Sequence, residues 1–145
     1  MEIAEISINY KPLRKLSEVK QVIKSKDAAD FFRSIWSDRI HFLEEFYMLM
    51  LNRNKRILGY LLISVGGTTG TVVDTKIVFQ GALKANANSI IVCHNHPSGN
   101  LSPSEQDIKL TRNLKEAGKI MDIQVLDHVI LSAEGYFSFS DEGMM

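Results

Sequence analysis

Two histidines one residue apart, followed at once by proline, restrict the folding of residues 90–107 more than any other feature of the chain. Ile90-Ile91-Val92-Cys93 is a run of β-favouring apolar residues, and the Pro97, Gly99 and Pro103 beyond it cannot continue a regular strand. His94 and His96 therefore stand at the C-terminal end of a strand. Because side chains alternate faces along an extended chain, these two imidazoles point one way while Cys93 and Asn95 point the other.

The segment after the loop reads as a helix. Ser104 occupies an N-cap position, Asp107 falls in the first turn, and Ile108, Leu110, Leu114 and Ala117 recur mainly at helical spacing until Gly118. Two imidazoles and a carboxylate make up the ligand set of an open catalytic zinc site, in which a fourth position is left for water. The same residues also have plainer roles: a serine N-cap is worth about 1 kcal/mol, and an acid in the first turn suits the helix dipole.

His94-x-His96-Pro97, then six residues, then Ser104-x-x-Asp107, resembles the signature of the JAB/MPN (JAMM) zinc metalloprotease superfamily. His94-Asn95-His96-Pro97-Ser98-Gly99, with Leu126-Asp127-His128, is similar to its RadC-like branch, and the likeness runs from about Glu44 to the C-terminus. The resemblance implies a mixed β-sheet flanked by helices, an α/β (α+β) domain of cytidine-deaminase-like architecture. It further implies that His94, His96 and Asp107 bind Zn2+, that Ser104 assists, and that a glutamate from an earlier strand activates water for peptide or isopeptide cleavage. In RadC-like sequences that glutamate lies two positions before an aromatic residue, which matches Glu44 with Phe46; Glu45 competes, and in an extended chain the two project to opposite sides. RadC-like proteins also carry a DNA-repair label, so the alternative is a nucleic-acid-associated accessory protein with a structural or vestigial metal site.

Charge bears on that alternative. Seventeen basic and seventeen acidic residues leave no net charge, so nothing broad favours nucleic acid over a peptide or protein substrate. The chain also reads as a stand-alone domain without a helix-hairpin-helix segment. A single cysteine allows no intrachain disulfide, and no apolar stretch reads as a signal peptide or membrane span, which makes the cytoplasm the default location. Cys93 itself reads as a buried structural thiol.

With 145 residues the chain suits one domain, read as an N-terminal strand/helix extension over 1–40 and a RadC-like JAB/MPN domain over 41–145. Glu2–Tyr10 alternates as a strand does, and 11–26 is a basic-leaning connector. Asp27–Trp36 reads as an amphipathic helix whose aromatic residues pack inward. Phe46–Leu51 and Arg56–Ser64 are two strands joined by a polar turn, the first buried on both faces. Gly66–Thr71 is a glycine-rich loop without the Lys-Ser/Thr ending of a phosphate loop. Asp74 caps a helix reaching about Ala87, with Ile77, Val78, Ala82, Leu83 and Ala85 as its inward face. Ile123–Leu131 is a strand interrupted by Asp127 and His128, and a hairpin through Gly135 closes the fold. His128 reads either as a satisfied structural histidine at a strand edge or as a partner orienting a metal ligand; His41 reads as structural.

Overall fold

An unbroken apolar run needs cover on both of its faces, and residues 46–51 of β1 (Glu45–Leu51) receive it in the interior of a mixed sheet. The computed structural model describes residues 2–67 and 71–145. Its other strands are β2 (Ile57–Val65), β3 (Ser89–Asn95), β4 (Gln124–Leu131) and β5 (Tyr136–Ser138), in the spatial order β2-β1-β3-β4-β5. All pairings are antiparallel except β3 with β4. Helices α1 (Ser25–Ile35), α2 (Thr75–Lys84) and α3 (Glu105–Met121) complete the α+β fold expected from the sequence.

Strand alternation sorts the core into two layers. Phe46, Met48 and Met50 of β1 join Ile90 and Val92 of β3 beneath α2 and α3, where Val78, Phe79, Ala82 and Leu114 meet them. Leu49 and Leu51 join Ile91, Cys93, Val129 and Leu131 on the opposite face, against Ala28, Ala29 and Phe32 of α1. Trp36 packs at the rim of this second layer, its ring centroid 4.7 Å from that of Tyr47. No helix among the described residues is long and apolar enough to cross a membrane.

Several local expectations need correction. Glu2–Tyr10 forms no strand: Ile3, Ile6 and Ile8 are exposed, and only Tyr10 is tied down, its hydroxyl donating to the Leu58 carbonyl at 3.0 Å. Alternation without a partner strand does not hold a segment in a sheet. On α2 the inward stripe is Val78, Phe79, Ala82 and Ala85, whereas Ile77 and Leu83 are 40% and 49% exposed. Residues 78, 79, 82 and 85 follow the helical period, and 77 and 83 lie off it. β4 is not an edge strand, so His128 is an interior residue. His41 is exposed, on the 3-10 turn Asp38–His41. The glycine-rich loop of 66–71 falls partly outside the described residues.

α3 also runs past Gly118, to a left-handed cap at Asp122 (φ 56°). There the Ile123 amide turns back to donate to the Gly118 carbonyl at 2.8 Å. A Cβ on Gly118 would lie 2.3 Å from the Ile123 carbonyl oxygen, so this glycine permits close contact and does not end the helix.

Asn95 links β3 to the chain entering β1. Fully buried on the α1 face, it accepts the Glu45 amide proton at 2.7 Å through Oδ1 and donates from Nδ2 to the carbonyls of Ile40 (3.1 Å) and Leu43 (2.8 Å). The Glu44 carbonyl accepts from the Gly66 amide at 2.8 Å. The main chain on both sides of Glu44 is thereby fixed.

Two predictions follow from these contacts. Urea denaturation of Gly118→Ala should show a loss of about 1–3 kcal/mol from overpacking, whereas an ordinary helical position would gain up to about 1 kcal/mol. Asn95→Ala strands a buried amide and should cost about 1–3 kcal/mol, with hydrogen exchange at the Glu45 amide accelerating more than at the centre of β1.

Candidate metal centre

The parallel β3–β4 pair requires a crossover, and α3 supplies it. The chain leaving β3 therefore passes over the carboxyl ends of both strands before entering α3, which brings the first turn of the helix beside the last residues of β3. His96 donates its main-chain amide to the Leu131 carbonyl at 2.9 Å. The following turn closes with the Gly99 amide on the His96 carbonyl at 3.0 Å, and Gly99 takes the positive φ of 82° that glycine accommodates without strain.

Ser104 caps α3 reciprocally with Asp107. The serine Oγ accepts the Asp107 amide proton at 3.1 Å, and the Ser104 amide donates to Asp107 Oδ2 at 2.8 Å. This arrangement aims the carboxylate at the histidines: Oδ1 is 3.2 Å from His94 Nε2 and Oδ2 is 3.4 Å from His96 Nε2. The two Nε2 atoms are 2.9 Å apart. The structure thus brings His94, His96 and Asp107 together, with one ligand atom from each lying within 4.8 Å of the others.

The far side of each ring is occupied. His96 Nδ1 meets the Asn100 carbonyl at 2.5 Å, and because a carbonyl only accepts, Nδ1 carries a proton, which in the neutral ring leaves Nε2 with its lone pair. His94 Nδ1 meets His128 Nε2 at 2.7 Å, and His128 Nδ1 meets Thr111 Oγ1 at 2.6 Å. His128 is fully buried, stacked on Phe139 at 4.8 Å, and burial lowers its pKa well below the ordinary range. Burial opposes ionisation of Asp107, yet its contacts with His94 and His96 and the Ser104 amide hold its pKa well below the usual carboxylate range. The carboxylate in turn raises the pKa of His96.

Electron pairs so close together repel unless a ring proton or a cation lies between them. Donors on a tetrahedral cation with bonds of about 2.0–2.1 Å stand about 3.4 Å apart, near the separations seen. The two imidazoles and one carboxylate are thus a donor set that can hold a metal ion.

Glu44 and Ser104 line the same groove as His96 and Asp107, a cleft of about 870 Å³ also bounded by Val72, Pro103 and Leu110. Glu45 faces elsewhere: it is 2% exposed, with Oε1 3.2 Å from Arg39 Nε and Oε2 accepting from the Tyr47 hydroxyl at 3.4 Å. Asp127 is engaged elsewhere and accepts from the Ser138 hydroxyl at 2.6 Å and the main-chain amides of His128 and Ser140. Burial raises its pKa against these three bonds. Cys93 is wholly buried on the α1 face, where burial pushes its thiol pKa up.

Sequence reasoning missed Thr111 and Asn95. A hydroxyl four residues after Asp107 shares its helical face, and that spacing was the available signal for Thr111. Alternation placed Asn95 on the far face without showing which main-chain groups it meets.

Comparison with known proteins agrees with this architecture. A family model for the RadC-like JAB domain matches residues 22–144, beginning ahead of Glu44 and taking in α1. A UPF0758 protein of Flavobacterium johnsoniae is 41% identical over 127 residues, covering 88% of this chain and 55% of the relative. One from Staphylococcus carnosus is 37% identical over 123 residues, covering 85% and 54%, and one from Chlorobium chlorochromatii is 32% identical over 143 residues, covering 99% and 64%. The chain thus spans between half and two thirds of the length of these relatives. With the family model matched over residues 22–144, most of its length, the chain belongs to the RadC-like JAB domain family.

Proposed function

We propose that the chain is a zinc-dependent metallohydrolase of the JAMM type that cleaves amide bonds, as a peptidase or isopeptidase. The observation that carries this reading is the convergence of His94 Nε2, His96 Nε2 and the Asp107 carboxylate beside an open groove that also contains Glu44. His94, His96 and Asp107 would hold the metal. Bound zinc supplies Lewis acidity toward the scissile carbonyl and lowers the pKa of water to about 7.

Glu44 is the general base in this reading. It takes a proton from the attacking water and returns it to the leaving amine. Its rigid main chain favours such a task, since a base works from a fixed position. Ser104 accepts from the helix through its lone pair, which leaves its own proton free to stabilise the developing oxyanion. Glu45, committed to Arg39 and Tyr47, is the weaker choice for the base.

A peptide or protein substrate suits the groove better than nucleic acid. Its described lining includes the carboxylates of Glu44 and Asp107 and no lysine or arginine, so it offers nothing to neutralise phosphates. The free thiol of Cys93 suits a reducing compartment, and the cytoplasm is the proposed location.

Metal analysis and a peptide-library cleavage assay test the reading together. The purified chain should contain one zinc, and chelation should abolish cleavage. Glu44→Gln should lower turnover by about 10²-fold or more while zinc content stays unchanged. If Glu45→Gln has this effect and Glu44→Gln does not, the base is misassigned. A zinc-loaded chain that cleaves no amide in the library would overturn the hydrolase assignment.

A further inference from the structure

We infer that Thr111 and His128 form a hydrogen-bond relay that sets the tautomer of His94, and so keeps its metal-binding nitrogen unprotonated. The inference rests on the metal-centre reading above and assigns positioning roles to two residues that are not themselves ligands.

The protons can be placed one at a time. A threonine hydroxyl has a single proton, and Thr111 directs it to the main-chain oxygen of Asp107, one helical turn back, at 2.7 Å. In its 2.6 Å contact with His128 Nδ1 the hydroxyl oxygen must therefore accept, so Nδ1 carries a proton. The His128 ring is fully buried between a stacked Phe139 and a T-shaped contact with Phe46, with no carboxylate hydrogen-bonded to either ring nitrogen among the described residues. Such surroundings favour an uncharged ring.

A neutral ring protonated at Nδ1 has its lone pair on Nε2, and that lone pair faces His94 Nδ1 at 2.7 Å. His94 must then donate from Nδ1, which leaves Nε2 unprotonated among His96 and Asp107. Reversing the His128 tautomer would put the His94 proton on Nε2, where it blocks coordination. The relay also joins two of the three ligands: it starts on the main chain of Asp107 and ends on the ring of His94, so the first turns of α3 and the end of β3 are held in one register.

Long-range 1H–15N correlation on histidine-labelled, metal-free protein reads the tautomers directly. His128 should be protonated at Nδ1 and bare at Nε2, and His94 should be protonated at Nδ1. Competition titration with zinc and a chromophoric chelator should then show Thr111→Val binding about 10-fold or more weakly, with Thr111→Ser restored to the wild-type value. If Thr111→Val fails to fold, His128→Gln and His128→Leu carry the comparison. The glutamine carbonyl can accept from His94 and its amide can donate to Thr111, so zinc affinity should survive in the first and fall in the second. A wild-type His128 protonated at Nε2, or equal zinc affinity in wild type, Thr111→Val and Thr111→Ser, would overturn the relay. A wild-type chain that binds no zinc overturns the metal centre and the purpose given to the relay, while the histidine spectrum separately upholds or refutes the proton positions.

Discussion

Electron-pair crowding is the constraint on which the rest of this structure depends. His94, His96 and the Asp107 carboxylate lie 2.9–3.4 Å from one another, and a ring proton or a metal ion between them relieves the repulsion of their electron pairs. His94 is buried, while His96 and Asp107 keep a small exposure to the groove. Each donor is fixed from behind: His94 by His128, His96 by the Asn100 carbonyl, and Asp107 by the Ser104 amide. Outer contacts of this kind set ring orientation and tautomer in metal centres.

The fold places these donors by ordinary means. A parallel strand pair needs a helical crossover, and the crossover brings a helix N-terminus to the carboxyl ends of the strands. That helix start is capped by the serine whose partner is the Asp107 carboxylate, so local helix stability and the aim of that carboxylate come from the same pair of hydrogen bonds. Strand alternation does the remaining sorting. His94 faces α3 and the groove, while Asn95 faces α1 and grips the chain that carries Glu44. Consecutive residues of β3 thus serve the candidate metal cluster on one face and the proposed base on the other.

Much of this was legible in the sequence because it is local. The strand ending at the histidines, the Ser104 cap, the i+3 acid and the buried central strand all follow from periodicity and turn chemistry within short windows. What escaped depends on partners distant in the chain. The alternating Glu2–Tyr10 segment looks like a strand but has no neighbour to pair with. Gly118 looks like a helix stop, and its purpose is visible only once Ile123 is seen folding back over it. His128 divides two readings in sequence, and its interior place in β4 together with the contacts to His94 and Thr111 favours the partner of a ligand over an edge histidine. Between Glu44 and Glu45, sequence offered only an alternation rule, whereas Arg39 and Tyr47 show where one of the two carboxylates is engaged.

X-ray absorption at the zinc edge, on wild-type protein loaded with one equivalent of zinc, tests the central claim most directly. The account predicts a first shell of nitrogen and oxygen at about 2.0–2.1 Å, with the outer-shell scattering of two imidazoles. A sulfur shell at about 2.3 Å, which would require Cys93, or a spectrum of hydrated zinc without imidazole scattering, would contradict it.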